Sequence, residues 1–293
     1  MPRFILFAVL LLAATVGRAD DTHSLKFYKA KEGEVYMKTK ESKSTGRVTF
    51  AVGDQKGNEE QKPSETMVFT EEILTFPKDA KRPTKLKRTY EKVEKKDVKG
   101  DEVKSHLVGK TVVIERQNDK WVYTVDGKPP TDDQTKELDA DFGDERADAM
   151  TPNEMLPGKA VKVGDTWAVD VKKAVESLGD LKGTVFDLEK SSFTGKLVKA
   201  ETKDGVLRGT VEFTLKLALT DFGLGENQAL PTEAGSDMTM KVVMDGCLDG
   251  SVPGEKSEMT MKVVVKAKLP MDGKFEMTST TTAIDTEELA KKK

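Results

Sequence analysis

The sequence predicts a mainly β fold: a curved antiparallel sheet, either an incomplete barrel or a two-lobed sandwich, with two short helices. Three observations support this. Beyond Asp20 the chain alternates apolar and polar residues with a period of two. Turn signals such as Lys203-Asp204-Gly205 and Asp272-Gly273 punctuate the alternation. Helical periodicity is confined to two short stretches. About ten strands are implied, and an open sheet of that size curls.

The pattern is clearest near the C-terminal end. Met238, Met240, Val242 and Met244 share one face, with Thr239, Lys241, Val243 and Asp245 on the other. Met259, Met261, Val263, Val265, Ala267 and Leu269 repeat the arrangement, and Phe275, Met277, Thr281 and Ala283 follow. Val211, Phe213, Leu215, Leu217 and Leu219 make a further inward row. Such strands form a sheet with one apolar and one wet face. The repeated hexapeptide at Met238 to Val243 and Met259 to Val264 marks two strands built alike; a solenoid needs about three copies or more.

The N-terminal half carries weaker candidates: Glu34 to Lys40, Gly46 to Val52, Thr66 to Phe76, Thr84 to Val93, Val103 to Arg116 and Lys120 to Asp126. Asn118-Asp119 links the last two, and Asp126-Gly127 with Pro129-Pro130 ends the series. One helix starts at the capping box Thr131-Asp132-Asp133-Gln134, carries Leu138 and Phe142 one turn apart, and stops at Gly143. A second is capped by Asp170, runs through Val171, Ala174, Val175 and Leu178, and closes at Gly179.

Residues 1–19 read as a signal peptide. Arg3 gives the positive start, Phe4 to Val16 the apolar run, and Gly17-Arg18-Ala19 the small residues before cleavage ahead of Asp20. The run is short of the ~20 residues of a transmembrane span. The expected product is periplasmic or extracellular, with no transmembrane anchor and no lipobox cysteine. Its β-rich part spans 20–285, with lobes 20–130 and 151–285 joined by an acidic segment, 131–150, and a flexible tail at 286–293.

Charged residues make up 34% of the chain and hydrophobic ones 37%. Removing Arg3 and Arg18 with the leader leaves 46 basic against 51 acidic residues, a balance of −5. That argues against nucleic acid as a partner, which calls for a basic patch. Lys78 to Lys104 is basic but threaded with acids, and Asp132 to Glu154 is acidic; both read as solvated surface. Cys247 is the single cysteine, so no intramolecular disulfide forms and the thiol reads as a small buried hydrophobe.

Catalytic constellations are missing. Only His23 and His106 are present, the first near a frayed terminus and the second in a Lys/Val-rich strand. There is no GxSxG elbow and no HExxH. Gly109-Lys110-Thr111 matches the end of a phosphate loop, but Lys104 stands where its first glycine belongs. Asp139 to Asp144 is spaced like the start of a calcium loop, but Gly143 occupies the third ligand position and Met150 the twelfth.

Trp167 closes the segment Leu156-Pro157-Gly158-Lys159-Ala160-Val161-Lys162-Val163-Gly164-Asp165-Thr166-Trp167: a turn, a short strand, a second turn and an aromatic anchor. Followed by the Asp170 helix and a run of alternating strands, this element resembles a group of exported bacterial β-rich domains of unknown function with a central Val-Gly-Asp-x-Trp segment. The resemblance implies an exported β domain and brings no catalytic residues. Many of that group are lipoproteins, and this chain lacks the lipobox.

The candidate ligand-contacting residues are Met238, Met240, Met259, Met261 and Met277. Thioethers fill irregular space and suit an adaptable core or a lumen for a flexible apolar molecule. They also suit soft metals, but no histidine is near. The alternation with Val and Thr favours packing. The expected function is a non-enzymatic exported scaffold or partner-binding module, its partner another envelope protein. The second reading is a carrier of an apolar ligand such as lipid, and the third, least supported, is a hydrolytic enzyme. No cofactor and no metal are expected.

Overall fold

The computed structural model describes residues 21–52, 55–118, 120–142, 149–179, 181, 183–225, 228–269 and 272–289. The expected signal peptide, the Gly143 stop and Asp119 of the Asn118-Asp119 link lie outside these. The N-terminal strands are β1 (Val35–Val52), β2 (Gln55–Gln61), β3 (Ser64–Thr75), β4 (Lys85–Lys96), β5 (Glu102–Val103), β6 (Thr111–Gln117) and β7 (Lys120–Val125). After helix α1 (Asp132–Phe142) and a 3-10 turn (Pro152–Met155) come β8 (Thr166–Ala168) and helix α2 (Val171–Ser177). The chain ends in β9 (Val185–Lys203), β10 (Val206–Gly225), β11 (Gln228–Pro231), β12 (Asp237–Cys247), β13 (Glu255–Leu269) and β14 (Gly273–Leu289).

All fourteen strands belong to one antiparallel sheet, in the order β7-β6-β4-β3-β1-β14-β13-β12-β10-β9-β8, with β2, β5 and β11 as side branches. The sheet does not close into a barrel, and one sheet replaces the two of a sandwich. The first strand meets the last: β1 pairs β14 from Tyr36↔Leu289 to Ala51↔Lys274. That contact brings the two halves of the chain into one ladder.

Residues directly opposite on paired strands share a face, so the inner face can be followed across the sheet. In one direction it runs Phe193–Leu215–Met240–Met261–Thr281–Ser44. In the other it runs Lys40–Met67–Val93. Both helices lie on this face, because their buried residues join clusters that the face supplies. Leu138 and Phe142 of α1 pack with Tyr36, Phe69, Tyr90, Ile114 and Tyr123. Ala174 of α2 packs with Trp167, Phe193, Phe213, Leu215 and Leu248. Within the acidic segment, α1 thus packs onto the sheet as a helix.

Several strand boundaries differ from the expected ones for identifiable reasons. Glu34 to Lys40 and Gly46 to Val52 form a single strand, β1, which changes neighbour midway: Val35–Lys43 pairs β3 and Gly46–Val52 pairs β2. The expected strand Val103 to Arg116 is interrupted by a turn in which Leu107 is buried and Gly109 takes φ +73. β2 and β9 were not anticipated. The first is polar throughout, and only part of the second points inward, at Phe193, Gly195 and Leu197. The tail expected at 286–293 begins inside β14, whose Glu287 is held by an ion pair to Lys38. His23 is not frayed: its amide donates to Val161 O at 2.7 Å and Val161 N returns a bond at 3.0 Å.

Local chemistry explains the predicted turns and caps. Asp126 and Gly127, and likewise Asp204 and Gly205, take positive φ, as a two-residue hairpin turn requires. Thr131 and Gln134 cap α1 reciprocally, Gln134 N donating to Thr131 Oγ1 at 3.3 Å and Thr131 N to Gln134 Oε1 at 3.0 Å. Asp170 accepts from Lys173 N at 3.0 Å at the start of α2.

Trp167 is buried, and its Nε1 donates to Met155 O at 2.8 Å. The ring stands edge-on to Phe213, centroids 6.3 Å apart. It lies so close to β9 that a Cβ on Gly195 would fall 2.3 Å from its Cε2. The glycine is required by that approach. Trp167→Ala should therefore cost about 3–5 kcal/mol in urea unfolding, as large-to-small aromatic core changes do. Gly195→Ala should also destabilise strongly. Wild-type stability in either variant would contradict this packing.

Candidate ligand-binding cleft

The five methionines singled out from the sequence all sit on the inner face. Met240 lies opposite Met261, Met238 opposite Val263, Met259 opposite Val242, and Met277 opposite Val265 and Val48. Met238 is buried, and Met240 and Met261 pack against the same cluster as Trp167 and Phe213. Met259 and Met277 are half-buried on the same face, outside that cluster. The structure thus groups three of the five in the C-terminal core. The clefts described below are lined by other residues.

Between the two apolar clusters the inner face turns ionic. A row of charges crosses the sheet from β13 to β4. Glu255 lies opposite Glu287, which lies opposite Lys38. The Lys38 ammonium reaches Glu287 at 2.7 Å and Glu71 at 2.8 Å. Glu71 accepts from Arg88 Nε, and Arg88 also donates to Asp141 of α1, which Lys40 approaches at 3.4 Å. The Arg88 guanidinium is sandwiched between Phe69 and Phe142, 4.4 and 4.3 Å from their ring centroids. Glu71 and Arg88 are buried, so each depends on the other.

The electrostatics follow from this order. Burial pushes the Glu71 carboxyl up, but Arg88 and Lys38 outweigh it and hold the group at about 2. Asp141 is likewise pushed up by burial and drawn below the usual range by Arg88 and Lys40. At the β13 end the sign reverses. Burial raises Glu255 to about 7, Glu287 and Asp285 push the same way, and Lys38 offsets only part. Among the described residues the Glu255 carboxylate has no ion-pair or hydrogen-bond partner.

Glu255 and Glu287 form one end of a cleft of about 730 Å³. Its other walls come from Phe27–Ala30, the loop between β3 and β4, and the Thr151–Glu154 turn. These walls are braced by short contacts. Asn153 accepts from Phe27 N at 2.8 Å and donates to Phe27 O at 3.2 Å. Lys81 pairs with Glu154 at 2.7 Å, and Lys29 Nζ sits 4.7 Å above the Phe76 ring. Tyr28 and Tyr36 both donate to Glu34, which holds its carboxyl down despite burial. Cys247 reaches the cleft wall, buried, its Sγ 3.0 Å from Asp249 Oδ1. The cleft thus has aromatic walls at Phe27, Tyr28 and Phe76, basic residues Lys29, Lys78, Lys81 and Arg82 along the same lining, and the carboxylates Glu255 and Glu287 at one end.

The sequence reading missed Lys38, Glu71, Arg88, Asp141, Glu255 and Glu287. A signal was present: Glu71 interrupts the inward series Met67, Phe69, Ile73, and Arg88 interrupts Leu86 and Tyr90. A charge at an inward position of an alternating strand marks a buried partner. Among the described residues no cluster of His, Cys, Asp and Glu is arranged to hold a metal ion, and no helix is long and apolar enough to cross a membrane.

The chain matches no protein-family model and no curated protein. Among solved structures it is similar to a DUF1329 family protein from Desulfovibrio piger, at 8% identity over 85% of this chain and 83% of that one, with a TM-score of 0.11. A likeness at that score carries no argument.

Glu255 and Glu71 make opposite contributions to stability against pH. The raised Glu255 binds its proton more tightly when folded, so stability is lost as pH rises from 4.5 to about 7, by about 3 kcal/mol. Glu255→Gln should remove that loss, making the variant more stable than wild type at pH 8 in urea unfolding. An unchanged difference between pH 5 and pH 8 would contradict it. The depressed Glu71 contributes above pH 4.5, and its contribution is lost as pH falls toward about 2. Glu71→Gln leaves Arg88 buried without its main partner and should cost about 3–5 kcal/mol at pH 7.

Proposed function

We propose that this chain is an exported, non-enzymatic binding module that holds a partner segment in the Glu255–Glu287 cleft. The partner presents an apolar body and a cationic end. The observation that carries this is the unpartnered, half-buried Glu255 facing Glu287 at one end of a cleft of about 730 Å³ with Phe27 and Phe76 on its walls. A cleft of that size is within the range of small-ligand sites. A cation placed between the two carboxylates relieves their repulsion, which direct cross-strand opposition of like charges creates.

The non-enzymatic reading is supported by side chains already engaged elsewhere. His106 Nδ1 lies 3.0 Å from Glu137 Oε1, and Ser105 Oγ donates to the other oxygen of the same carboxylate at 2.7 Å. The serine bonds the carboxylate rather than the imidazole, so the His106 ring is not placed to take its proton. The packing of Met238, Met240 and Met261 supports a filled interior over an apolar carrier. Export rests on the leader sequence at residues 1–19.

A fluorescent peptide with a phenylalanine body and a terminal run of lysines tests the proposal. Saturable binding is expected above pH 7, where Glu255 is ionised, weakening about tenfold in Glu255→Gln and as pH falls below 6. Absent binding, or binding indifferent to both Glu255→Gln and Glu287→Gln, would overturn it.

A further inference from the structure

We propose that the far tip of β1, β2, β13 and β14, on the outer face of the sheet, is a binding site for an oxyanion, a phosphate or carboxylate group. The register there aligns lysines. Lys268 lies opposite Lys274, Lys274 opposite Ala51, and Ala51 opposite Lys56. This row crosses four strands with three ammonium groups and no carboxylate. Like charges directly opposite each other destabilise a sheet, and a bound anion would remove that cost.

The neighbouring rows complete a cradle. Lys266, Glu276, Thr49 and Asn58 form the next row, and Arg47 stands in the one beyond. Arg47, Thr49, Lys56, Asn58, Lys274 and Glu276 line a cleft of about 490 Å³ with Ala51, whose small side chain leaves room between the two lysines. Among the described residues neither the Lys56 nor the Lys274 ammonium has an ion-pair or hydrogen-bond partner. Lys268 leans toward Glu233 at 3.6 Å. Arg47 uses Nε on Asn58 Oδ1 at 3.1 Å, which leaves its terminal nitrogens and the Asn58 amide as donors. Thr49 donates to Glu276 O at 3.3 Å. Glu276 is the one carboxylate on the lining and opposes an anion.

The two ends of the β13–β14 hairpin therefore carry opposite charge: Glu255 and Glu287 at one end, Lys266, Lys268 and Lys274 at the other. The oxyanion site lies on the face opposite the Glu255 cleft and stands independently of it. Planar guanidinium and mobile ammonium groups together suit phosphate or carboxylate oxygens.

Amide chemical shifts of the full chain, followed at low ionic strength during titration with pyrophosphate, test the site. A parallel flotation assay with phosphatidylglycerol vesicles asks whether membrane-borne phosphate is the source. Saturable shifts at Thr49, Ala51 and Asn58 are expected. Lys274→Ala and Lys56→Ala should each weaken binding about fivefold, Glu276→Gln should tighten it, and Lys172→Ala on α2 should leave it unchanged. Binding in either assay with this variant pattern supports the site and names its source. Neither pyrophosphate nor vesicles binding, or shifts that persist in the Lys56→Ala/Lys274→Ala double variant, would overturn it.

Discussion

The fold depends on how Arg88 is neutralised in an apolar interior. Its guanidinium lies between two aromatic rings, where an unpaired charge would be intolerable. Glu71 and Asp141 supply the counter-charge, and Lys38 in turn balances Glu71 and Glu287. Each link fixes a piece of architecture: Arg88–Asp141 seats α1 on the sheet, Glu71–Arg88 sets β3 against β4, and Lys38–Glu287 sets the last strand against the first. A slip of one residue in any pair would turn its charge to the wrong face. Buried ionic groups often add little net stability, and register is the use that this row best explains.

The row also explains why one sheet carries two separate clusters. Apolar side chains continue along the inner face on either side of it, but Lys38, Lys40, Ser42, Ser44, Thr281 and Asp285 interrupt them where β1 meets β14. Asp141 and Lys40 are spent within the row, so Asp141, one of the aspartates spaced like a calcium loop, has a structural use. Charge runs out at the β13 end, where acids exceed bases. Glu255 is left facing Glu287 and Asp285, with Lys38 already shared. The carboxylate end of the proposed binding cleft is thus the unbalanced terminus of a structural network.

Much of the fold was legible because period-two alternation is a local property. β12, β13 and β14, their consecutive pairing, the Asp170 and Thr131 caps and the buried Trp167 all follow from spacing and turn chemistry. What escaped was non-local. That β1 pairs β14 is written in no short window, and neither is the change of partner that joins two predicted strands into one. β2 and most of β9 lack alternation because they sit at an edge and face water on both sides. The methionines drew attention by composition; Met238, Met240 and Met261 join the C-terminal core, while Met259 and Met277 lie half-buried on the same face outside it. The candidate site escaped because its members, Glu255 and Glu287, are distant in sequence and look like ordinary surface glutamates until the register places them opposite each other.

Amide hydrogen exchange in Lys38→Met tests the organising role of the charged row most directly. Removing the ammonium leaves Glu71 and Glu287 without their shared partner. Protection should fall in Val35–Lys40 and Thr286–Leu289, while the strands around Phe213 and Met244 keep wild-type protection. Unchanged protection where β1 meets the end of β14 would contradict the account.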